Sequence, residues 1–244
     1  MSIGSDQGPN LTLGAQPAGQ AAGIASSTPL TMSLPEQIAA RLSERITVGL
    51  YAPGRRVMEQ EISLEFGVSR GPVREALRLL ERDGLVTILP RRGAQVTRLS
   101  IEEVREIFDI RASLNGLRDR QIAEEPDHAR LLQTLEQGVE QLARLAPAPA
   151  DANEYVETVF DLNRLLNDST PNRRLRAILS SLALQTLRYS RLGLSTPQRR
   201  QQSVGNWRRL VKAVREGDGL EAQRAAEQRV LDSRDAAIRE LEKK

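Results

Sequence analysis

Arg70, Arg74 and Arg78 recur every fourth residue, and Arg91 and Arg92 stand side by side a short way downstream. On a helix the first three form one stripe of guanidinium groups, planar and permanently charged forks that match phosphate oxygens and the major-groove edge of guanine. Two adjacent arginines at a turn serve no core, but they suit a phosphate backbone. The chain has little to offer catalysis. It contains no cysteine, a single histidine (His128) and no glycine-rich phosphate loop, and its carboxylates lie three or four residues from arginines along helix faces. The chemistry indicated is binding, not catalysis, and we expect no enzyme.

The elements that must position these arginines are legible around them. Val73, Ala76, Leu77 and Leu80 fall at i, i+3, i+4 and i+7, so they define a buried face that leaves the arginine stripe outward. Ser69 can cap that helix, and Pro72 fits its first turn. Upstream, Ile62, Leu64 and Phe66 suit a short helix that stops at Gly67, where a tight turn needs positive φ. Downstream, Leu85 to Leu89 reads as a strand, Pro90 to Gly93 as a turn and Ala94 to Thr97 as a returning strand. The prediction is helix, turn, helix and a two-stranded wing whose tip carries Arg91 and Arg92.

Pro53-Gly54, the run Gly67-Val68-Ser69-Arg70-Gly71-Pro72-Val73-Arg74-Glu75-Ala76-Leu77, Asp83-Gly84-Leu85-Val86 and Pro90-Arg91-Arg92-Gly93 resemble the N-terminal domain of GntR-type transcriptional regulators. The resemblance implies that Ser69, Arg70, Gly71, Arg74 and Arg78 approach base edges and phosphates while Arg91, Arg92 and Gly93 enter the minor groove. Gln60 occupies a position where some relatives place a DNA-contacting arginine, and Gly71 one where many carry threonine. At Gly71, close approach to DNA and mere tolerance in a first turn remain open.

The 244 residues allow one large or two modest domains. Ser33 to Ser100 carries 11 Lys+Arg against 8 Asp+Glu, so any signal for DNA lies in placement and not in bulk charge. Residues 1–32 are rich in Gly, Ala, Ser, Gln and Pro and are expected to form a disordered tail, with Met32 a candidate start. Ser33, Pro35 and Glu36 open a helix whose apolar face runs from Ile38 to Leu50. The winged helix is thus expected over 33–99 and an all-helical domain over 100–244.

In that second domain, Ser100 and Glu103 form a capping-box pattern before the stripe Val104, Ile107, Phe108, Ile110, Leu114 and Leu117. Further apolar periodicities centre on Leu135, Leu162, Ile178, Trp207 and Ala226, with Leu220 heading the last. The fold class is therefore mostly α: a winged helix followed by an antiparallel bundle of six or seven helices.

Arg111, Asn172-Arg173-Arg174-Leu175 and Arg215-Glu216-Gly217-Asp218 resemble the helical effector (FCD-type) domain of the FadR subfamily. Many of its members hold a divalent metal through an Asp and three His, and the resemblance places Val159, Asn163, Trp207 and Arg229 at those four positions. We therefore expect no metal and no cofactor. A guanidinium at 229 can hold directly the carboxylate that a metal would otherwise hold. Arg111 and Arg229 are expected to bind a small anionic effector, with Asn163 as amide and Trp207 as apolar wall. The competing expectation pairs Arg229 with an acidic neighbour and leaves Trp207 as core.

The reading is a cytoplasmic, homodimeric transcriptional regulator, a repressor in the family's usual manner, binding a palindromic DNA operator and a small-molecule effector without membrane attachment. Two alternatives stand beside it: a helical scaffold whose winged helix contacts protein, and a DNA-binding dimer without an effector.

Overall fold

The computed structural model describes residues 32–90 and 92–243. Helix α1, Leu34–Thr47, opens with a reciprocal capping box. The Ser33 amide donates to Glu36 Oε2 at 2.7 Å, and the Glu36 amide donates back to Ser33 Oγ at 3.4 Å. Hydrogen bonds from the Ser33 hydroxyl and amide hold the Glu36 carboxyl below its ordinary pKa. The helix stops at Thr47, short of the expected Leu50, and Leu50 is exposed.

Helix α2, Glu59–Phe66, ends on Gly67 at φ +63°, the left-handed conformation expected there. Helix α3, Arg70–Arg82, buries Val73, Ala76, Leu77 and Leu80 against Ile38, Leu42 and Ile46 of α1 and Ile62 of α2. Truncating one of the buried leucines to alanine would cost about 2–5 kcal/mol. Leu64 is exposed, because a helix this short buries only the stripe around Ile62.

The wing has one more strand than the sequence pattern implied. Besides β2 (Val86–Leu89) and β3 (Gly93–Val96), the pair Arg56–Val57 forms β1 and gives the order β1-β3-β2. Its register sets Arg56 opposite Gln95 and Val57 opposite Ala94. This packing explains Gly93, at φ +78°, where a Cβ would stand 2.6 Å from the Val57 carbonyl oxygen.

Six longer helices follow: α4 (Ile101–Glu124), α5 (Ala129–Leu145), α6 (Ala152–Ser169), α7 (Arg173–Leu192), α8 (Pro197–Glu216) and α9 (Gly219–Glu242). Ser100 and Glu103 form the expected box at the start of α4. The main bundle core gathers around Leu135, Tyr155, Leu166 and Trp207, and a second cluster joins Phe108, Tyr189 and Ile238. Ile110, Leu117, Ile178 and Leu220 were expected on buried stripes, but they are exposed. Toward its C-terminal half, the inward face of α4 is instead Ala112, Asn115, Gly116, Arg118, Asp119, Ile122 and Ala123, which leaves Ile110 and Leu117 outward.

Helix α7 ties the two halves together. Leu184 packs against the winged-helix core, and the Tyr189 hydroxyl accepts the Leu99 amide at 3.0 Å. No helix among the described residues is long and apolar enough to cross a membrane.

Candidate nucleic-acid interface and bundle cavity

The N-terminal end of α3 faces solvent. Ser69, Arg70, Gly71, Arg74 and Arg78 are all exposed, as is Gln60 on the neighbouring α2. Ser69 has extended capping backbone, φ −71° and ψ 163°, but its hydroxyl makes no capping bond. The expected side-chain cap is therefore not formed. The first turn carries no acidic side chain, so its free amides and Arg70 present one positive surface.

Arg74 donates through Nε to Glu59 at 2.8 Å, and Arg78 pairs with Glu75 at 2.7 Å, both with more than half of the arginine side chain exposed. Such pairs contribute about 0–1 kcal/mol and exchange readily for phosphate. Arg70 and Arg92 have no ionic partner among the described residues. Arg92 and Gly93 stand at the wing turn, closed by the Arg92 amide donating to the Leu89 carbonyl at 2.9 Å. Arg91 lies outside the described residues, as do residues 1–31 of the tail predicted over 1–32.

The bundle forms a partly open cavity of about 440 Å³. Arg111, Asn163 and Arg229 all line it, and so does Val159. Arg229 is 6 % exposed and donates to Asn163 Oδ1 at 3.0 Å and to Asp119 Oδ2 at 3.3 Å. Its guanidinium carbon sits 3.9 Å from the centre of the Trp207 ring. Trp207 thus lies beneath Arg229 as a floor and is not itself part of the cavity wall. The acidic partner of Arg229 comes from α4, which sequence spacing alone did not indicate.

Arg111 donates to Thr186 Oγ1 at 2.6 Å and Ser190 Oγ at 3.3 Å on α7, and it stacks on Phe108. Burial lowers the pKa of both Arg111 and Arg229 to about 10; the repulsion of Arg229 adds to this at Arg111, while Asp119 opposes it at Arg229. Both remain cations at neutral pH.

Asp119 is fully buried and also accepts from Arg118 Nε at 2.6 Å. One carboxylate therefore serves two guanidiniums, and the Nε atoms of Arg111 and Arg229 keep no partner. Among the described residues no three His, Cys, Asp or Glu side chains are grouped to hold a metal ion.

Two residues of this site escaped sequence reasoning. Asp119 lies on the i, i+3, i+4, i+7 stripe with Ala112, Asn115 and Gly116, which could have revealed a buried acid. Arg199 lines the cavity from the first turn of α8, where a buried cation opposes the helix dipole. Helix α7 serves both sites, because Leu184 lines the cavity while packing on the winged-helix core.

An exposed basic helix and wing, joined to a helical bundle with a cationic cavity, define a winged-helix protein with an attached all-helical domain. Residues 34–96 match the bacterial regulatory proteins of the gntR family, and residues 106–231 match the FCD domain. The chain belongs to the gntR family, in the group whose helical half is an FCD domain.

It is similar to YdhC of Bacillus subtilis (strain 168), an uncharacterized HTH-type transcriptional regulator. The two are 34 % identical over 139 residues, 57 % of this chain and 62 % of YdhC. It is likewise 34 % identical over 136 residues to the HTH-type transcriptional repressor RspR of Escherichia coli (strain K12), covering 56 % of this chain and 59 % of RspR. The chain thus spans about six-tenths of the length of these curated relatives. The solved structure of E. coli McbR/YncC shares the fold, with a TM-score of 0.73 at 18 % identity over 86 % of this chain and 100 % of that one.

Proposed function

We propose that this protein is a DNA-binding transcriptional regulator that acts in the cytoplasm as a homodimer on a palindromic operator. Its winged helix spans 33–99, and its effector and dimerisation domain spans 100–244. The observation that carries the reading is the acid-free N-terminus of α3, where Arg70 has no ionic partner among the described residues and Arg74 and Arg78 hold only surface pairs. Ser69, Gly71, Arg91, Arg92, Gly93 and Gln60 complete the contact surface. A second copy follows from the small area that one module buries on DNA. Ile110 and Leu117, two turns apart on α4 and exposed, offer it apolar surface. Repression is the direction we favour, since RspR is named a repressor.

In this reading, a small anionic metabolite occupies the cavity, held by Arg111 and Arg229 with Asn163, while the Trp207 ring fixes the orientation of the Arg229 guanidinium. A ligand drawing on Ser190 and Arg111 acts on α7, whose Leu184 touches the DNA-binding half. To switch the regulator, the ligand must favour one arrangement of the heads by about 1–3 kcal/mol. Pairing of Arg229 with Asp119 favours a second reading, in which the arginine is structural and the bundle only dimerises.

The test of DNA binding is a gel shift with the chain's own upstream DNA. Arg70→Ala with Arg74→Ala should weaken binding by about tenfold or more. Unaltered affinity rejects the contact assignment. Thermal shift against small carboxylates separates the two readings of the bundle: stabilisation supports an effector, and its absence supports pure dimerisation.

A further inference from the structure

We infer that Arg199 forms a second anion subsite in the bundle cavity, so that the ligand accepted there is a small dianion, such as a short dicarboxylate, in preference to a monoanion. This deepens the proposed effector binding and rests on it.

Arg199 is 6 % exposed, yet it forms no ion pair among the described residues. Its Nε makes only a long bond, 3.4 Å, to the backbone carbonyl of Asp232, and its buried Nη1 has no partner among the described residues. The Asp232 carboxylate is already engaged by Asn206 and Gln228 at 2.7 Å and by Gln202 at 3.2 Å. A buried cation without a direct ion pair is costly, since the Asp232 carboxylate acts on it only through space, and an incoming anion relieves that cost. Ser203, one helical turn from Arg199, and Ser233, next to Asp232, line the same cavity and add hydroxyl donors.

The subsite is separate from the first. Beyond burial, which lowers both, Arg111 feels Arg229 and Arg118, whereas Arg199 feels Asp232, Tyr155 and Arg239. Along α8, eight residues separate Arg199 from Trp207, the floor of Arg229, which is about 12 Å of helix. The cavity wall holds four guanidiniums, Arg111, Arg164, Arg199 and Arg229, and the carboxylates Glu157 and Asp168; Arg164 and Glu157 are tied to Asp161 and Arg191 in more exposed pairs, and Asp119 behind Arg229 also serves Arg118, so the buried cations stay in excess. One monoanion leaves that excess unbalanced, and two anionic groups at the ends of a short apolar chain meet both cationic regions.

Calorimetric titration of the full chain with succinate, glutarate and butyrate tests this. The better of the two dicarboxylates should bind about tenfold or more tightly than butyrate. Arg199→Gln should erase most of that preference, and Arg199→Lys should restore it. Equal affinity for all three in the unaltered chain, or a preference that survives Arg199→Gln, overturns the inference and leaves the anion-binding reading standing. No binding of any of the three overturns both. The ratio in the unaltered chain needs no variant, so the test holds even where Arg199→Gln does not fold.

Discussion

The arginines of α3 and those of the bundle cavity carry the same group in opposite surroundings. Arg70, Arg74 and Arg78 stand in water, where a guanidinium costs nothing to keep and its ion pairs contribute little. Arg118, Arg199 and Arg229 are at most 6 % exposed, where an uncompensated charge costs several kcal/mol. An exposed arginine can be replaced with little effect on folding, and its loss is felt in binding. A buried one must be held in place, and the fold shows how: Asp119 between two guanidiniums, the Trp207 ring under Arg229, and hydroxyls from α7 beside Arg111.

The largest effect should come from breaking the buried set. Asp119→Ala leaves Arg118 and Arg229 facing each other without their carboxylate, and should lower stability by about 3–5 kcal/mol in urea denaturation. A loss under about 1 kcal/mol would mean that water reaches these charges, and the contrast between the two sets of arginines would collapse.

Arg70→Ala combined with Arg74→Ala should leave the unfolding free energy within about 0.5 kcal/mol of the parent. A large destabilisation there would show that the outer arginines also serve the fold.

Ser100→Ala should have a small effect on folding, about 0.5–2 kcal/mol, by removing the cap of α4. Its pH dependence is a further check. Bonds from the Ser100 amide and hydroxyl hold the Glu103 carboxyl below its ordinary pKa. The unfolded chain therefore binds more protons through that range, and the stability contributed by the ionised carboxylate is present above the unfolded pKa and lost as pH falls through the folded one. The penalty of Ser100→Ala should accordingly shrink in acid. A penalty that is constant with pH would assign the cap to the hydroxyl alone.

The same contrast explains what the sequence revealed. Capping boxes at Ser33 and Ser100 and the buried face of α3 are local patterns of a few residues, and the structure reproduces them. Strand β1 was missed because two residues establish no alternation. Ile110, Leu117 and Leu220 were misplaced because bulk was taken for burial, whereas α4 packs closely on α9 through small residues such as Gly116, where a Cβ would press on the Glu227 side chain. Within the cavity, the meeting of Asn163 with Arg229 spans helices far apart in sequence and was approached only through the register of a resemblance. Asp119 and Arg199 had no such guide. Charged residues inside a bundle look like surface charges until the helices are assembled.

The salt dependence of DNA binding bears most directly on the central claim. With a duplex of arbitrary sequence, log affinity should fall linearly with log salt, with a slope of roughly −0.9 for each phosphate neutralised. Arg70→Ala with Arg74→Ala should flatten that slope by about two units, roughly one for each guanidinium removed from a phosphate, at unchanged fold stability. A slope near zero in the parent, or the same slope in parent and variant, would contradict it.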